Sequence, residues 1–494
     1  MNRTASINDP NRFGNYGIPQ LALDKIREAL GDANVRIEDG ATGPDCDVGI
    51  TAMPASTEEV SAVVRICRQH EIPIMPQGGR TGLVGGSHLL PGEIILSTAR
   101  LNRIERLDPV ERVAVVGAGV TLEALQTAAL ENRLEPGIDL AARGSATIGG
   151  MVSTNAGGIM AFRNGVMRHR VLGLEAVLAD GSIYSDLTRV VKNTAGYDLK
   201  HLFIGAEGTL GIVTRVVVKL DPVPQATATA LLGLPSVDAA LQTVRLALDT
   251  SAGHLRAAEA MWNGFFRLAA SKNGWSEPEV PPDQPIFLLL SLGGAMEGAL
   301  RDEFERIFAN VLELFPDATG IVAGSKRQED ELWRLRENTD VLYRAHPNAP
   351  SFDVSVPLSE ISAYLDKVLP GLAAIRPDLA PYVFGHLADG NLHIVLNCQG
   401  PLARHIAQPI EDALYSCLRE MGGSFSAEHG VGSKRIHSLL AASDPTKLAT
   451  MHRIKWALDG RSIMNPDKVL PRDGWCVSSP GMSVLDKKSQ EASN

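Results

Sequence analysis

The sequence predicts an α+β protein of two or three domains, on three observations. The chain has 494 residues, more than one hydrophobic core usually organises. From Val48 it reads as short strands alternating with amphipathic helices, punctuated by three glycine-rich segments. Beyond Pro222 and Pro224 it changes to a second α+β mixture with different spacing.

The elements follow in order. Pro19 to Leu30 reads as a helix behind a polar leader. Val48-Gly-Ile-Thr51 reads as a strand, and Thr57 to His70 as a helix whose acidic first turn suits the helix dipole. Strands are expected at Ile72–Met75, Glu93–Leu96 and Val113–Val116, and a helix from Thr121 to Glu131. Further strands fall at Glu175–Leu178, Ile183–Tyr184 and Ile212–Val218. The second region carries strand-like Ala230–Leu234 and Ile286–Leu292, with helices over 236–250 and 296–314. Residues 400–460 are mainly helical, broken by a turn-rich stretch at 422–433. The expected division is a leader and helix over 1–45, a first domain over 46–224 and a second over 225–430. A helical segment over 431–475 and a disordered polar tail over 476–494 follow.

Composition excludes several classes. Hydrophobic content of 44% and charged content of 21% fit a globular protein with sizeable cores. Net charge is −10 without a long basic run, which argues against nucleic acid. No apolar stretch nears the roughly 20 residues of a membrane span. The polar Met1–Gln20 segment is no secretory signal, and Arg3 and Arg12 give only weak support for an organelle-targeting peptide. Five scattered cysteines without a CxxC read as reduced thiols, so a cytoplasmic location is expected.

The densest chemistry lies in Phe384-Gly-His-Leu-Ala-Asp-Gly-Asn-Leu-His-Ile394. Asp389-Gly390 is a two-residue hairpin signal between apolar runs. With those two residues as the loop, Leu387 pairs with Leu392 and His386 lies opposite His393 on one face. Two imidazoles so placed can share a divalent ion, with Glu428 as third ligand. Two nitrogens and one carboxylate leave a position open, the catalytic pattern. The plainer alternative is a pair of polar residues on a half-exposed hairpin. Cys398 ranks below Glu428 as a ligand.

Glycine costs backbone entropy, so a run such as Pro76-Gln-Gly-Gly-Arg-Thr-Gly-Leu-Val-Gly-Gly-Ser87 needs a positive φ or something approaching the main chain. Successive N–H groups there form an anion cradle suited to a diphosphate. The run is neither a Walker loop nor GxGxxG. Gly144 to Gly158 reads as a second such loop, and Gly205-Ala-Glu-Gly-Thr-Leu-Gly211 as a third. Together they point to a large phosphate-bearing cofactor.

With these motifs the chain resembles the FAD-linked oxidases that carry the vanillyl-alcohol-oxidase-type flavin domain. It is most similar to their D-2-hydroxyglutarate and D-lactate dehydrogenase branch. The resemblance covers about residues 45–472 and adds Asn193-Thr-Ala-Gly-Tyr-Asp-Leu, Glu428-His-Gly-Val-Gly432 and Asn465-Pro-Asp-Lys-Val-Leu470. It implies a two-part FAD-binding domain, an α+β substrate (cap) domain and a C-terminal helical segment that returns to the flavin. Gln77, Gly78, Gly79, Arg80, Thr81, Gly82 and Ser87 would hold the pyrophosphate. Gly144, Ser145, Ile148, Gly149, Gly150, Thr154, Asn155 and Gly158 would contact the ribityl chain and ring. Gly208, Ile212, Val213 and Asn465 would complete the site. Arg80 stands where covalent relatives carry a histidine, so FAD is expected to be non-covalent. His88, His169 and His201 are the other attachment points to test.

The resemblance further implies that His386, His393 and Glu428 bind a divalent metal, zinc first and manganese or iron next. It makes His429 the base and Arg336 the partner of the substrate carboxylate. The implied reaction oxidises a D-2-hydroxy acid to the 2-oxo acid, with hydride passing to flavin N5. The metal renders the hydroxyl more acidic. The implied acceptor is an electron-transfer flavoprotein or a quinone, and a homodimer is one assembly to expect. Two departures bear on the substrate. Hydroxyglutarate-type relatives place a lysine at the position of Ser351 and an asparagine at that of Val395. Losing both polar groups favours a monocarboxylic or less charged acid, unless Arg344 or His346 restores a cation. The alternatives are a metal-independent oxidase of an alcohol or sugar, and a subunit of a glycolate-oxidase-like complex.

Overall fold

The structure, a computed structural model, describes residues 17–38, 49–347, 349–398 and 402–472. The leader through residue 16 and the tail beyond 472 lie outside the described residues, as do Cys46 and Cys476. Cys67, Cys398 and Cys417 are buried free thiols. Among the described residues, no helix is long and apolar enough to cross a membrane.

The first half contains two small sheets. One is four-stranded, in the order Val35–Glu38, Gly49–Ala52, Ile94–Ser97 and Ile74–Gln77. Its last three strands are parallel, and helix Thr57–Gln69 makes the crossover between two of them. Ser56 caps that helix by accepting the Glu59 N–H. Its apolar face and that of Gln20–Leu30 share one core with the sheet. The other sheet is five-stranded and antiparallel, in the order Ile104–Asp108, Val113–Gly117, Ile212–Lys219, Val171–Val177 and Ile183–Asp186. Its central strands Val113–Gly117 and Ile212–Lys219 are rich in valine, which packs into the core beneath.

Segment 144–158, expected as a loop, contains a short helix, Ile148–Thr154. Thr147 caps it through the Gly150 N–H, and Asn155 ends it in the left-handed region at φ 53°. The glycines of 76–87 also have a partly different cause from the one expected. A Cβ on Gly79 would lie 1.7 Å from the Ser145 carbonyl oxygen, and one on Gly78 would lie 2.4 Å from Thr147 Oγ1. These two glycines let one loop lie against the next, while a Cβ on Gly82 would meet nothing within 4 Å.

The second half is built on one seven-stranded sheet. Its order is Thr319–Val322, Ala226–Leu234, Ile286–Gly294, Gly253–Trp262, Tyr382–His386, Asn391–Val395 and Ser351–Ser355. Helices Val237–Leu248, Glu297–Leu314 and Ile361–Ile375 bury one face. Helices Asn263–Asn273 and Lys326–Glu337 bury part of the other. After Pro445–Leu458 the chain returns to the first sheet. Ile74 donates to the Ile463 carbonyl at 2.7 Å and Asn465 to the Ile74 carbonyl at 2.8 Å.

Gly79→Ala should therefore force two main chains apart. We expect it to cost about 1–3 kcal/mol, with flavin lost during purification. Gly82→Ala should stay within about 0.5 kcal/mol. Thermal melting and the flavin-to-protein ratio check this, and equal behaviour of the two variants would refute the loop-contact account.

Candidate active site

The hairpin is real, but its register differs from the expected one. His386 pairs with Asn391, Gly385 with Leu392 and Phe384 with His393. The loop is thus four residues, Leu387 to Gly390. Leu387 is drawn away from Leu392 because its N–H bonds the Ala258 carbonyl at 2.8 Å and its side chain is fully buried in the cap core. Gly390 turns at φ 75°, and a Cβ there would lie 1.9 Å from the Val356 carbonyl oxygen. A slip of two residues keeps side chains on their faces. His386 and His393 are therefore diagonal neighbours, with ring centroids 5.5 Å apart.

His386, His393 and Glu428 each offer one ligand atom, all lying within 4.8 Å of one another. His386 Nε2 is 3.7 Å from Glu428 Oε1. Behind them stand two carboxylates that the sequence reading did not single out. Glu259, fully buried, accepts from His386 Nδ1 at 2.7 Å and forms an ion pair with Arg336 Nη2 at 2.8 Å. Asp353, fully buried on the neighbouring strand, lies 3.5 Å from His393 Nδ1. A carboxylate on one ring nitrogen orients the other nitrogen toward a cation, so the donor set fits a divalent metal. Asp353, His393 and His429 form a second cluster of the same spacing. There, however, Asp353 already accepts the main-chain N–H groups of Ala427, Glu428 and His429 at 3.1, 2.7 and 3.0 Å, and the Asn391 amide at 2.7 Å. Those bonds commit its oxygens, and the first cluster is the better cation site. Cys398 belongs to neither.

Burial alone would depress His386, but the Glu259 carboxylate outweighs it and lifts the imidazole to about 9. Burial raises Glu259, and its two cations more than reverse this and hold it below the usual carboxylate range. Burial lowers His429, against the pull of Asp353, so its ring is neutral near pH 7 and able to take a proton. His429 stacks beside His393, with centroids 5.9 Å apart. Arg336 is buried with its guanidinium 4.9 Å from the Phe384 ring centroid, and its Nε has no partner. Arg334, two residues earlier, is exposed.

These groups line a cavity of about 240 Å³. It adjoins a groove of about 320 Å³ lined by Gln77 to Gly82, Ser87, Gly149, Gly150, Thr154, Gly208, Ile212, Val213 and Asn465. Leu83, Leu140, Ala141, Glu428 and His429 line both. Of the remaining residues expected at the cofactor, Gly144 and Ser145 are exposed outside the lining and Ile148 is buried in the core. Asn155 accepts the Arg168 N–H, and Gly158 lines the smaller cavity, donating to Glu428 Oε1 at 2.7 Å. Glu207, not anticipated, lines the groove and accepts the Val431 and Gly432 N–H groups at 2.7 and 2.8 Å. Asn465 donates to the carbonyls of Gly86 and Glu207. Among the described histidines only His429 lines the groove; His88, His169 and His201 do not.

The expected substitutes for a distal cation are absent from the cavity. Arg344 is exposed, 3.9 Å from Asp340, and His346 bonds the Tyr382 hydroxyl. Ser351 lines the cavity, while its strand partner Val395 is buried in the core.

Comparison with known proteins agrees with this architecture. The FAD binding domain family matches residues 49–186, and the FAD linked oxidases, C-terminal domain, matches 223–469. The chain is 35% identical over 419 residues to the mitochondrial D-2-hydroxyglutarate dehydrogenase of Rattus norvegicus, covering 85% of this chain and 77% of that one. It is 37% identical over 431 residues to the D-2-hydroxyglutarate dehydrogenase of Xanthomonas citri pv. viticola, covering 85% and 88%. Solved structures of 4-ethylphenol oxidase from Gulosibacter chungangensis and of p-cresol methylhydroxylase superpose with TM-scores of 0.71 and 0.71. Their identities are 20% and 19%, over 92% of this chain and 97% and 98% of theirs, and they bear on the fold alone. The chain thus has the vanillyl-alcohol-oxidase-type fold and belongs to the FAD-linked oxidases, in the branch of the D-2-hydroxyglutarate dehydrogenases.

Proposed function

We propose that the protein is an FAD-dependent dehydrogenase that oxidises a D-2-hydroxy acid to the 2-oxo acid. One observation carries the reading: the His386–His393–Glu428 cluster, His429 and the buried Arg336 face one cavity, which meets the cofactor groove at Glu428 and His429.

FAD would lie along Gln77–Gly82, the helix Ile148–Thr154 and Asn465, and when bound it supplies the two-electron oxidant. With no histidine but His429 lining the groove, non-covalent FAD is the consistent form. A divalent cation, zinc by its donor chemistry, would be held by His386, His393 and Glu428, and when bound it supplies Lewis acidity. The chain's own residues do the rest. Arg336 receives the substrate carboxylate, while Glu259, paired with Nη2, holds the guanidinium in place. His429 takes the hydroxyl proton. Arg336 and His429 together fix which face of Cα is turned toward the groove, and Leu83 and Leu140 wall the junction from water.

Anaerobic addition of D-2-hydroxy acids to the flavin-loaded protein should bleach the visible flavin band, with L-acids much slower. A strong chelator should suppress this bleaching, and re-added zinc or manganese should restore it. Bleaching that persists after the metal has been shown to be gone would remove the cation from the reading. Arg336→Ala should lower kcat/KM about 30- to 100-fold, chiefly through KM, as expected for loss of a charged hydrogen bond. A near-normal kcat/KM would remove Arg336 as the anchor. His429→Asn should slow flavin reduction by about a hundredfold or more in protein that still carries flavin. Reduction at the normal rate would assign the base elsewhere.

A further inference from the structure

We propose that the outer end of the substrate cavity selects acids with a single carboxylate and an apolar or aromatic side chain, through a charged rim of Asp139, Arg143 and Glu337. The inference rests on the D-2-hydroxy acid reading above and names the substrate class of that same site.

A burial gradient orients the cavity. Arg336 and Glu259 have side chains 9% and 0% exposed, whereas Asp139, Arg143 and Glu337 are 22%, 35% and 44% exposed. The first pair lies at the inner end and the triad at the mouth. A substrate whose carboxylate sits on Arg336 therefore points its side chain toward the triad.

Arg143 and Arg336 are the two arginines of the lining, and no lysine lines it. Arg143 is already occupied. Its Nε and Nη2 fork onto both oxygens of Asp139 at 2.7 and 2.9 Å, and Nη2 also lies 3.6 Å from Glu337. Two carboxylates around one guanidinium leave the rim one charge negative. Arg143 belongs to the flavin half and Glu337 to helix Lys326–Glu337 of the cap, so the rim closes across the junction of the two. A second substrate carboxylate arriving there must displace Asp139 or lie unpaired beside Glu337, and either is unfavourable. Ser351 offers a hydroxyl and no charge. The lining also includes Leu83, Leu140, Trp333, Tyr343 and Phe384, which suit a hydrocarbon or aromatic group.

The test measures kcat/KM for flavin reduction by D-phenyllactate, D-2-hydroxyhexanoate and D-2-hydroxyglutarate, on the flavin-loaded protein and on Glu337→Gln and Asp139→Asn. The wild type should favour the two monocarboxylic acids by about tenfold or more. Each variant should reduce that preference about three- to fivefold, the size expected of one half-exposed charge. The readout is a ratio between acids on one preparation, so partial misfolding cancels. D-2-hydroxyglutarate used as well as the monocarboxylic acids would overturn the selectivity and leave the dehydrogenase reading standing. A monocarboxylic preference unmoved in both variants would overturn the rim assignment. No reduction by any of the three acids would overturn the dehydrogenase reading, and this inference with it.

Discussion

The site depends on one buried carboxylate. Glu259 stands near the middle of the seven-stranded sheet with no exposed surface. An ionised carboxylate there is costly to fold unless cations meet it. Two do: His386 from the adjacent strand, in direct register with it, and Arg336 from the helix packed over that face. The same requirement that makes Glu259 tolerable thus places His386 of the candidate metal cluster beside Arg336, the proposed carboxylate anchor. Removing Glu259 would leave two cations facing each other in a buried space, so the two side chains cannot be repositioned independently.

Asp353 plays the matching part on the far side of the hairpin. Glu428 and His429 lie in a turn-rich segment without regular structure, which by itself would hold neither side chain in place. Three consecutive N–H groups of that segment converge on one oxygen of Asp353, whose other oxygen is bonded to Asn391. Burial would raise this carboxyl, but His429, His393 and these bonds hold it far below its ordinary range, so it stays an acceptor. Glu207 repeats the device two residues further on, holding Val431 and Gly432 and, through its own carbonyl, Asn465. Distant parts of the chain are joined at the flavin groove by buried carboxylates rather than by apolar packing alone.

Much of this was legible in the sequence, and the exceptions have physical causes. The alternation around Asp389-Gly390 placed His386 and His393 on one face, and it survived a register error because the error was two residues, not one. The cause of the slip, Leu387 bonding to Ala258, lies in a strand that the sequence hides. Gly253–Trp262 reads His-Leu-Arg-Ala-Ala-Glu-Ala-Met, rich in helix formers, yet it is held as a strand between two partners. Since that strand carries Glu259, missing it meant missing the residue that organises the site. An alternating pattern ending at a buried acid would have been the only local signal. Helix Ile148–Thr154 was obscured by its glycines, whose low helix propensity is offset by the Thr147 cap and by packing. Asp139 and Arg143 could not be tied to the cavity at all, because what places them there is contact between the two halves of the molecule.

That contact bears on how the halves can move. Glu428 belongs to the segment pinned by the cap residue Asp353, yet its Oε1 is also held by the main-chain N–H of Gly158 in the flavin half. Gly158 sits at φ 101°, and a Cβ there would lie 2.0 Å from the Asp139 carbonyl oxygen, so its N–H is fixed by tight backbone contact. A shift of the cap relative to the flavin half would therefore pull on Glu428 of the candidate cation site directly, while His386 and His393 moved with the sheet. The same shift would open the Arg143–Glu337 contact at the rim. The Arg143–Glu337 contact at the rim and the Gly158–Glu428 bond at the cluster thus need the two halves in the same relative position.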